Sequence, residues 1–153
     1  MRELGSELER DYAAREPLLV GCLKGCVPFL ADLSRALPIV HALDFIELAG
    51  YGDGRDGIRF LKDLDAEIRG RDVVLVDSVI DTGLTMHYLV RSLRLRNPGS
   101  LRVATLFDRP YRRLVDDLPV GYVGFTLPDE FFVGYGFSLE ARYRNLPDLR
   151  LVR

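Results

Sequence analysis

The sequence has few of the residues that mark specialised classes of protein. It contains two cysteines, two histidines and no tryptophan. Cys22 and Cys26 have no further cysteine or histidine at zinc-like spacing, so we interpret them as small apolar packing residues rather than a redox or metal pair. No apolar run is long enough to cross a membrane, and residues 1–15 are too densely charged for a signal peptide. These absences argue against a membrane protein and predict a cytoplasmic location.

A large charge of one sign is also missing. The formal net charge is -2, which gives no global attraction to nucleic acid or to an anionic membrane. Hydrophobic residues make up 48% and charged residues 29%, a composition that argues against intrinsic disorder. No internal repeat, low-complexity tract or linker interrupts the sequence. We therefore expect one domain over residues 1–153.

Apolar segments typical of buried strands alternate with segments of helical periodicity. The predicted strands cover residues 18–22, 40–48, 58–64, 73–76 and 101–107, and the predicted helices cover residues 2–15, 28–36 and 84–95. This alternation predicts an α/β fold with a parallel sheet and helices on both faces. Residues 50–57 are too rich in glycine and charge to pack, which predicts a mobile loop. The aromatic, glycine and proline content from Tyr122 onward predicts a hood over about residues 122–153.

The segment of residues 73–85 carries the chemistry. An apolar strand runs into Asp77, the chain turns through Asp81, Thr82 and Gly83, and a helix follows. In open α/β sheets, ligands bind beyond the carboxyl ends of the strands, and a helix N-terminus attracts phosphate. The alternative is a capped helix without a ligand. A cap does not need two acids, two threonines and a glycine behind an apolar strand, so we favour a phosphate site.

This segment resembles the PRPP-binding motif of type I phosphoribosyltransferases, where PRPP is 5-phosphoribosyl-1-pyrophosphate. From about residue 2 to residue 152, the chain is similar to the bacterial hypoxanthine-guanine phosphoribosyltransferases. Three further motifs carry the resemblance in the same order, at residues 21–25, 106–110 and 131–147. The resemblance implies a type I phosphoribosyltransferase core with a small hood. It also implies transfer of the phosphoribosyl group from PRPP to hypoxanthine or guanine, with Mg²⁺ as cofactor.

The resemblance assigns a role to each matching residue. Asp81 becomes the general base that accepts the N7 proton of the purine, and the PRPP-binding set is Asp77, Ser78, Asp81, Thr82, Gly83, Leu84 and Thr85. The pyrophosphate-binding set is Lys24, Gly25 and Arg144, the purine-binding set is Arg109, Phe131 and Phe132, and the lid residue is Tyr51. Without the motifs, Lys24 would be interpreted as a solvated lysine, and Arg144 as a partner in a surface ion pair. For Arg109 the alternative is a surface ion pair with Asp108 or a neighbour.

Several residues depart from the family pattern. Ser78 stands where the family has a second acid, and Arg109 stands where it usually has lysine. Ser138 replaces a hood acid that contacts metal in the family, which leaves Asp77 as the expected Mg²⁺ ligand. The loop of residues 50–57 is shorter than usual, and Gly50 replaces a serine. These changes raise the prospect of altered kinetics, altered base choice or lost catalysis.

Three hypotheses follow for the function. The first is a purine-salvage enzyme, and the second is a weakened PRPP-binding regulatory protein of the same fold. The third is a transferase for another base, such as xanthine. Asp81 and the purine hood favour an enzyme, because a sensor needs neither, and the near-neutral charge argues against a nucleic-acid partner. Family resemblance also predicts a homodimer or homotetramer.

Overall fold

A six-stranded sheet forms the centre of the protein. The computed structural model describes residues 1–49 and 58–153. The strands are β1 (Leu18–Cys22), β2 (Ala42–Ala49), β3 (Arg59–Lys62), β4 (Asp72–Ile80), β5 (Ser100–Asp108) and β6 (Val120–Thr126). Their order across the sheet is β3-β2-β1-β4-β5-β6. All neighbouring pairs are parallel except β2 and β3, which are antiparallel.

Three helices and a small second sheet complete the described part of the chain. The helices are α1 (Arg2–Tyr12), α2 (Val27–Ala36) and α3 (Leu84–Arg94), and a single 3₁₀ turn covers Pro110–Arg112. The second sheet pairs β7 (Phe132–Val133) with β8 (Arg150–Leu151) in antiparallel register. Within residues 1–49 and 58–153, no helix is both long and apolar enough to cross a membrane.

Apolar side chains cover both faces of the sheet. Alternate strand residues point to opposite faces, so Val74 and Val76 of β4 pack with α1 and α2, whereas Val73 and Leu75 pack with α3. The helices contribute amphipathic faces to these two layers; their buried residues are Leu4, Leu8, Phe29, Leu30 and Leu33 on one side and Met86, Leu89, Val90 and Leu93 on the other. The predicted α/β class with helices on both faces is confirmed.

Some predicted boundaries differ from the structure. β4 runs to Ile80 and not to Val76, because Asp77 and the residues after it keep pairing with β5 although polar side chains interrupt the apolar run. α1 ends at Tyr12, three residues before the predicted end. The predicted hood begins too early, since residues 120–126 form the edge strand β6 of the main sheet and Tyr122 is buried in the core. The predicted lid loop, with Tyr51, lies outside the described residues.

Candidate active site

The turn between β4 and α3 lies near the middle of the sheet, at the carboxyl end of β4. Gly83 has a φ of 81°, which side chains other than glycine rarely adopt. A Cβ atom at Gly83 would also lie 2.8 Å from side-chain atoms of Arg113 and Val115. The turn is therefore tightly packed from behind, and its backbone faces the crevice beyond the strand ends.

The first amides of α3 are available for a ligand. Gly83 occupies the N-cap position and, being glycine, has no side chain with which to cap this helix. The nearest hydroxyl, Oγ1 of Thr82, lies 3.5 Å from the amide nitrogen of Leu84, at the limit of a hydrogen bond. Uncapped amides and the helix dipole favour an anion at this end of the helix. Of the two residues considered as caps, Asp81 makes no capping contact within the described chain and Thr82 makes only this long one, so an anion remains the better partner for these amides.

Two small cavities meet at Asp77 and Thr85. The first has a volume of about 140 Å³ and is also lined by Asp81, Thr82 and Gly83. The second has a volume of about 130 Å³ and reaches the loop after β1, where Cys22, Leu23 and Gly25 line it. The turn between β4 and α3 and the predicted pyrophosphate loop after β1 thus border adjoining cavities of one crevice.

Asp77 has an unusual electrostatic environment. Burial raises the pKa of its carboxyl to about 7, and hydrogen bonds from the backbone amides of Ser78 and Val79 oppose that shift. The amide of Ser78 donates to Oδ1 of Asp77 at 2.7 Å. The carboxyl lacks a salt-bridge partner among the described residues, which explains why burial dominates. A cation at this position would stabilise the charged form.

The loop after β1 contacts the hood through backbone atoms. A Cβ atom at Gly136 would lie 2.0 Å from the carbonyl oxygen of Gly25, so the two backbones are in direct contact. Nη1 of Arg144 donates to the carbonyl of Gly136 at 2.6 Å, which brings this cation to the loop. Ser78 lies against Gly25 from the strand side. Lys24 instead extends into solvent, where Nζ lies 3.7 Å from Oε1 of Glu47.

The two cysteines lie beneath this loop. Both thiols are unpaired and buried. Burial raises the pKa of Cys22 well above its usual range and that of Cys26 to about 12, with a further contribution from the charge of Asp77. Thiols that resist ionisation are poor nucleophiles and metal ligands. The interpretation of both cysteines as packing residues is confirmed.

A third cavity, of about 200 Å³, separates the β4–α3 turn from the hood. Its lining includes Asp81 and Ser138 together with the three predicted purine-binding residues, Arg109, Phe131 and Phe132. Phe131 is 69% exposed at the rim, so the face of its ring is open to a planar ligand. Asp81 and Val79 line both this cavity and the first one, so the two cavities adjoin at the end of β4.

Arg109 is buried in the wall of this third cavity. Its Nη2 atom donates to the carbonyl of Glu130 at 2.5 Å, and its guanidinium lies 5.9 Å from the ring centre of Phe132. Its Nε atom is buried and has no hydrogen-bond partner among the described residues. Asp108 pairs with Arg113 instead. The alternative of a surface ion pair between Arg109 and Asp108 is therefore wrong.

Two features of the site were not predicted. Arg112 contacts Asp81, although the sequence analysis gave Arg112 no role, because a cluster of arginines after β5 does not indicate which one reaches the turn. The side chain of Leu84 points into a groove of about 820 Å³ on the outer side of α3, beside His87 and Arg91, and away from the three cavities. Leu84 thus offers its backbone amide alone to the phosphate turn.

The described residues contain no group of three or more histidine, cysteine, aspartate or glutamate side chains that could enclose a metal ion. The Asp77 carboxylate remains as the expected metal ligand, in a crevice open to a substrate. Mg²⁺ is commonly bound by one or two carboxylates together with substrate phosphates and water. The residues present fit an ion of that kind held jointly by the protein and a phosphorylated substrate.

Comparisons with known proteins agree with this geometry. Residues 1–139 match the family model described as "Phosphoribosyl transferase domain". The chain is 44% identical to the hypoxanthine-guanine phosphoribosyltransferase of Streptococcus agalactiae over 149 residues, which covers 95% of this chain and 82% of that protein. It is also 41% identical to the bifunctional protein TilS/HprT of Listeria monocytogenes, but spans 24% of the length of that relative.

Solved structures give the same result. A crystal structure of a hypoxanthine-guanine phosphoribosyltransferase from Bacillus anthracis superposes with a TM-score of 0.94 at 41% identity. The superposition covers 99% of this chain and 91% of that one. On this family match, sequence identity and structural superposition, the chain belongs to the hypoxanthine-guanine phosphoribosyltransferases of the phosphoribosyltransferase family.

Proposed function

We propose that the protein transfers the 5-phosphoribosyl group of PRPP to hypoxanthine or guanine and releases pyrophosphate, as a step of purine salvage. One observation carries the proposal: Asp77 and Asp81 link three cavities in the order in which the parts of the two substrates must lie. The pyrophosphate lies at the loop after β1, the ribose 5-phosphate at the start of α3, and the base in the hood cavity.

The base is held by groups of complementary chemistry. Phe131 stacks on the purine ring, and the backbone of Phe132 contacts its edge. The buried Nε of Arg109 has a donor to spare, which suits the 6-oxo group. An amino group at that position would place donor against donor, so a 6-oxopurine is favoured over adenine.

The reaction exchanges one bond at the anomeric carbon of the ribose for another. The bond to pyrophosphate oxygen breaks as the bond to N9 of the purine forms, and the proton on N7 passes to the carboxylate of Asp81. Asp81 stands between the phosphate and purine cavities, where that bond must form. Arg144, which is held at the loop after β1, supplies positive charge to the departing pyrophosphate. Lys24 would do the same by leaving its contact with Glu47.

Mg²⁺ belongs to this proposal as the cofactor. Asp77 would hold the ion together with oxygens of PRPP, and Ser78 and Ser138 would add no charge to the site. When bound, the ion neutralises charge on the pyrophosphate. Asp77 also accepts hydrogen bonds from the ribose hydroxyls, a second use of the same carboxylate.

A cytoplasmic location and a homodimer or homotetramer are proposed from family resemblance. The regulatory alternative rests on Ser78 and Ser138 alone. The hood cavity, with a buried arginine and an exposed phenylalanine around space for a base, favours the enzyme. Transfer to xanthine remains an alternative, because Arg109 recognises the 6-oxo group that all three bases share. Comparing the three bases in one assay separates these choices.

The first experiment measures nucleotide formation from hypoxanthine or guanine with PRPP and Mg²⁺, followed by absorbance. We expect turnover by the wild type and a kcat lower by about 100-fold or more in Asp81→Asn, since a general base typically contributes at least that much. Asp116→Asn is the matched control, because Asp116 is exposed and lies outside the three cavities. Absence of turnover with every oxopurine, while PRPP still binds, contradicts the proposal.

A further inference from the structure

Arg112 connects two parts of the active site. Its Nε atom lies 2.7 Å from Oδ1 of Asp81, on the β4–α3 turn. Its Nη1 atom donates to Oδ1 of Asp129 at 2.8 Å, on the segment that leads into Phe131. One guanidinium therefore bridges the carboxylate that accepts the proton and the segment that carries the stacking ring.

The contact with Asp81 orients the carboxylate without using all of its hydrogen-bonding capacity. The Nε–Oδ1 contact does not have the geometry of a hydrogen bond, and Oδ1 is a buried oxygen without a hydrogen-bond partner among the described residues. The guanidinium covers this oxygen, whereas the Asp81 side chain as a whole is 39% exposed and lines the hood cavity. The exposed part of the carboxylate is therefore free to accept from an N–H group of a bound base.

Arg112 also pairs with two negative charges at once, those of Asp81 and Asp129. Without its guanidinium, the carboxylates of Asp81 and Asp129 would have no shared cation between them. Both carboxylates are partly exposed, so water screens their mutual repulsion, and loss of the guanidinium chiefly leaves each carboxylate without a fixed orientation. The planar guanidinium can contact two carboxylates at once, whereas a lysine ammonium is a single point charge.

The backbone around Arg112 is held by other contacts. The hydroxyl of Tyr111 donates to the carbonyl of Leu127 at 2.7 Å, and the amide of Leu114 donates to the carbonyl of Thr82 at 2.9 Å. The side chain of Arg112 is 41% exposed, so its removal leaves no buried cavity. Truncation should therefore test the ion pairs and not the fold.

We infer that Arg112 is a positioning residue for the transfer reaction: it holds the Asp81 carboxylate against the Phe131 segment so that the N7 proton of a stacked purine meets the carboxylate oxygen. The inference rests on the proposed function, in which Asp81 accepts that proton. It adds a residue that the sequence motifs do not assign and a role for the contact between Arg112 and Oδ1 of Asp81.

The test is a double-mutant cycle with Asp81→Asn and Arg112→Ala. We expect Arg112→Ala to lower kcat by about 10- to 100-fold, as misplacement of a reacting group does, and to leave KM for PRPP within about twofold. In the Asp81→Asn background, the same truncation should lower kcat by less than about twofold, because Arg112 acts through that carboxylate. Arg112→Lys should retain part of the activity, since it keeps the charge but loses the bridge.

Chemical rescue gives a second measurement. Because the Arg112 site is open to solvent, millimolar guanidinium should restore part of the kcat of Arg112→Ala and have no effect on the wild type. Arg10→Ala is the matched control, as Arg10 is an exposed arginine in an ion pair on α1. Thermal unfolding should be unchanged in both variants.

The outcomes separate the inference from the proposed function. An unchanged kcat in Arg112→Ala overturns the inference, whereas turnover of oxopurine by the wild type still supports the proposed function. An equal loss in the wild-type and Asp81→Asn backgrounds, without guanidinium rescue, also overturns it. A wild type without oxopurine turnover overturns the function itself, and the inference with it.

Discussion

The proposed phosphate end of the site comprises the β4–α3 turn and the loop after β1, and the proposed purine end is the hood cavity. The two ends are built differently. At the phosphate end, backbone groups of Gly83 and Gly25 form the surface, held by tight contacts with neighbouring chain segments. At the purine end, the side chains of Arg109 and Arg112 reach across to hood segments 21 and 17 residues away in sequence. A substitution cannot remove one backbone contact without disturbing the surrounding fold, whereas it can remove a single side chain. Substitutions at the phosphate end should therefore damage folding and PRPP use together, and those at the purine end should affect use of the base.

The largest expected effect comes from breaking a backbone contact. Gly136→Ala places a methyl group against the carbonyl of Gly25 at a φ of 95°. Clash and backbone strain should lower the free energy of unfolding by roughly 2–4 kcal/mol and raise KM for PRPP. Chemical denaturation and steady-state kinetics measure both. Gly70→Ala is the control, since Gly70 has a φ of 70° and open space around its Cβ position; a loss equal to that of Gly136→Ala would contradict the assigned role of the contact.

A side-chain change at the purine end should have a smaller and more selective effect. Arg109→Met removes the donor for the 6-oxo group and the hydrogen bond to Glu130, so KM for hypoxanthine should rise by about 10- to 100-fold. KM for PRPP should stay within about twofold, because Arg109 does not line the phosphate cavities. Arg109→Lys should recover most of the loss. Equal increases in both KM values would show that the two ends are not independent.

The smallest effect is a pH dependence at the phosphate end. The pKa of Asp77 is raised to about 7 in the folded protein from an unfolded value of 3.8, so folding favours the protonated form. The resulting stability is complete below about pH 4 and is lost as the pH rises through about 7. Linkage sets an upper limit of about 4 kcal/mol for the resulting change in unfolding free energy, and water that enters the crevice lowers it. Denaturation without Mg²⁺ should show this slope in the wild type and a flatter one in Asp77→Asn; identical slopes would contradict the assignment.

The difference between the two ends also explains what the sequence could predict. The phosphate turn lies in one contiguous segment, so Asp77, Asp81 and Thr82 could be placed together from their order after an apolar strand. The continuation of β4 to Ile80 was not predicted, because its last residues include polar side chains. Their pairing with β5 is made by backbone groups, which side-chain polarity does not reveal.

At the purine end, the sequence predicted which residues line the site but not which residues they contact. Arg109 was assigned by resemblance, yet its hydrogen bond to Glu130 depends on the path of a distant segment. Arg112 follows in the same arginine-rich stretch, and only the three-dimensional course of the 3₁₀ turn directs it to Asp81. The start of the hood was also misplaced, since the turn-rich composition after Tyr122 does not reveal that residues 120–126 pair with β5.

The pairing of Ile80 with Asp108 has a further consequence. Asp81 and Arg109 each follow directly from these paired residues, and the amide of Arg109 donates to the carbonyl of Ile80 at 3.0 Å. Adjacent strands lie about 4.8 Å apart, so the sheet fixes the distance between the backbones of Asp81 and Arg109. N7 and the 6-oxo group lie on the same edge of a purine. Under the proposed assignment, in which Asp81 meets N7 and Arg109 meets the 6-oxo group, the strand spacing therefore fixes the points from which these two side chains reach the base.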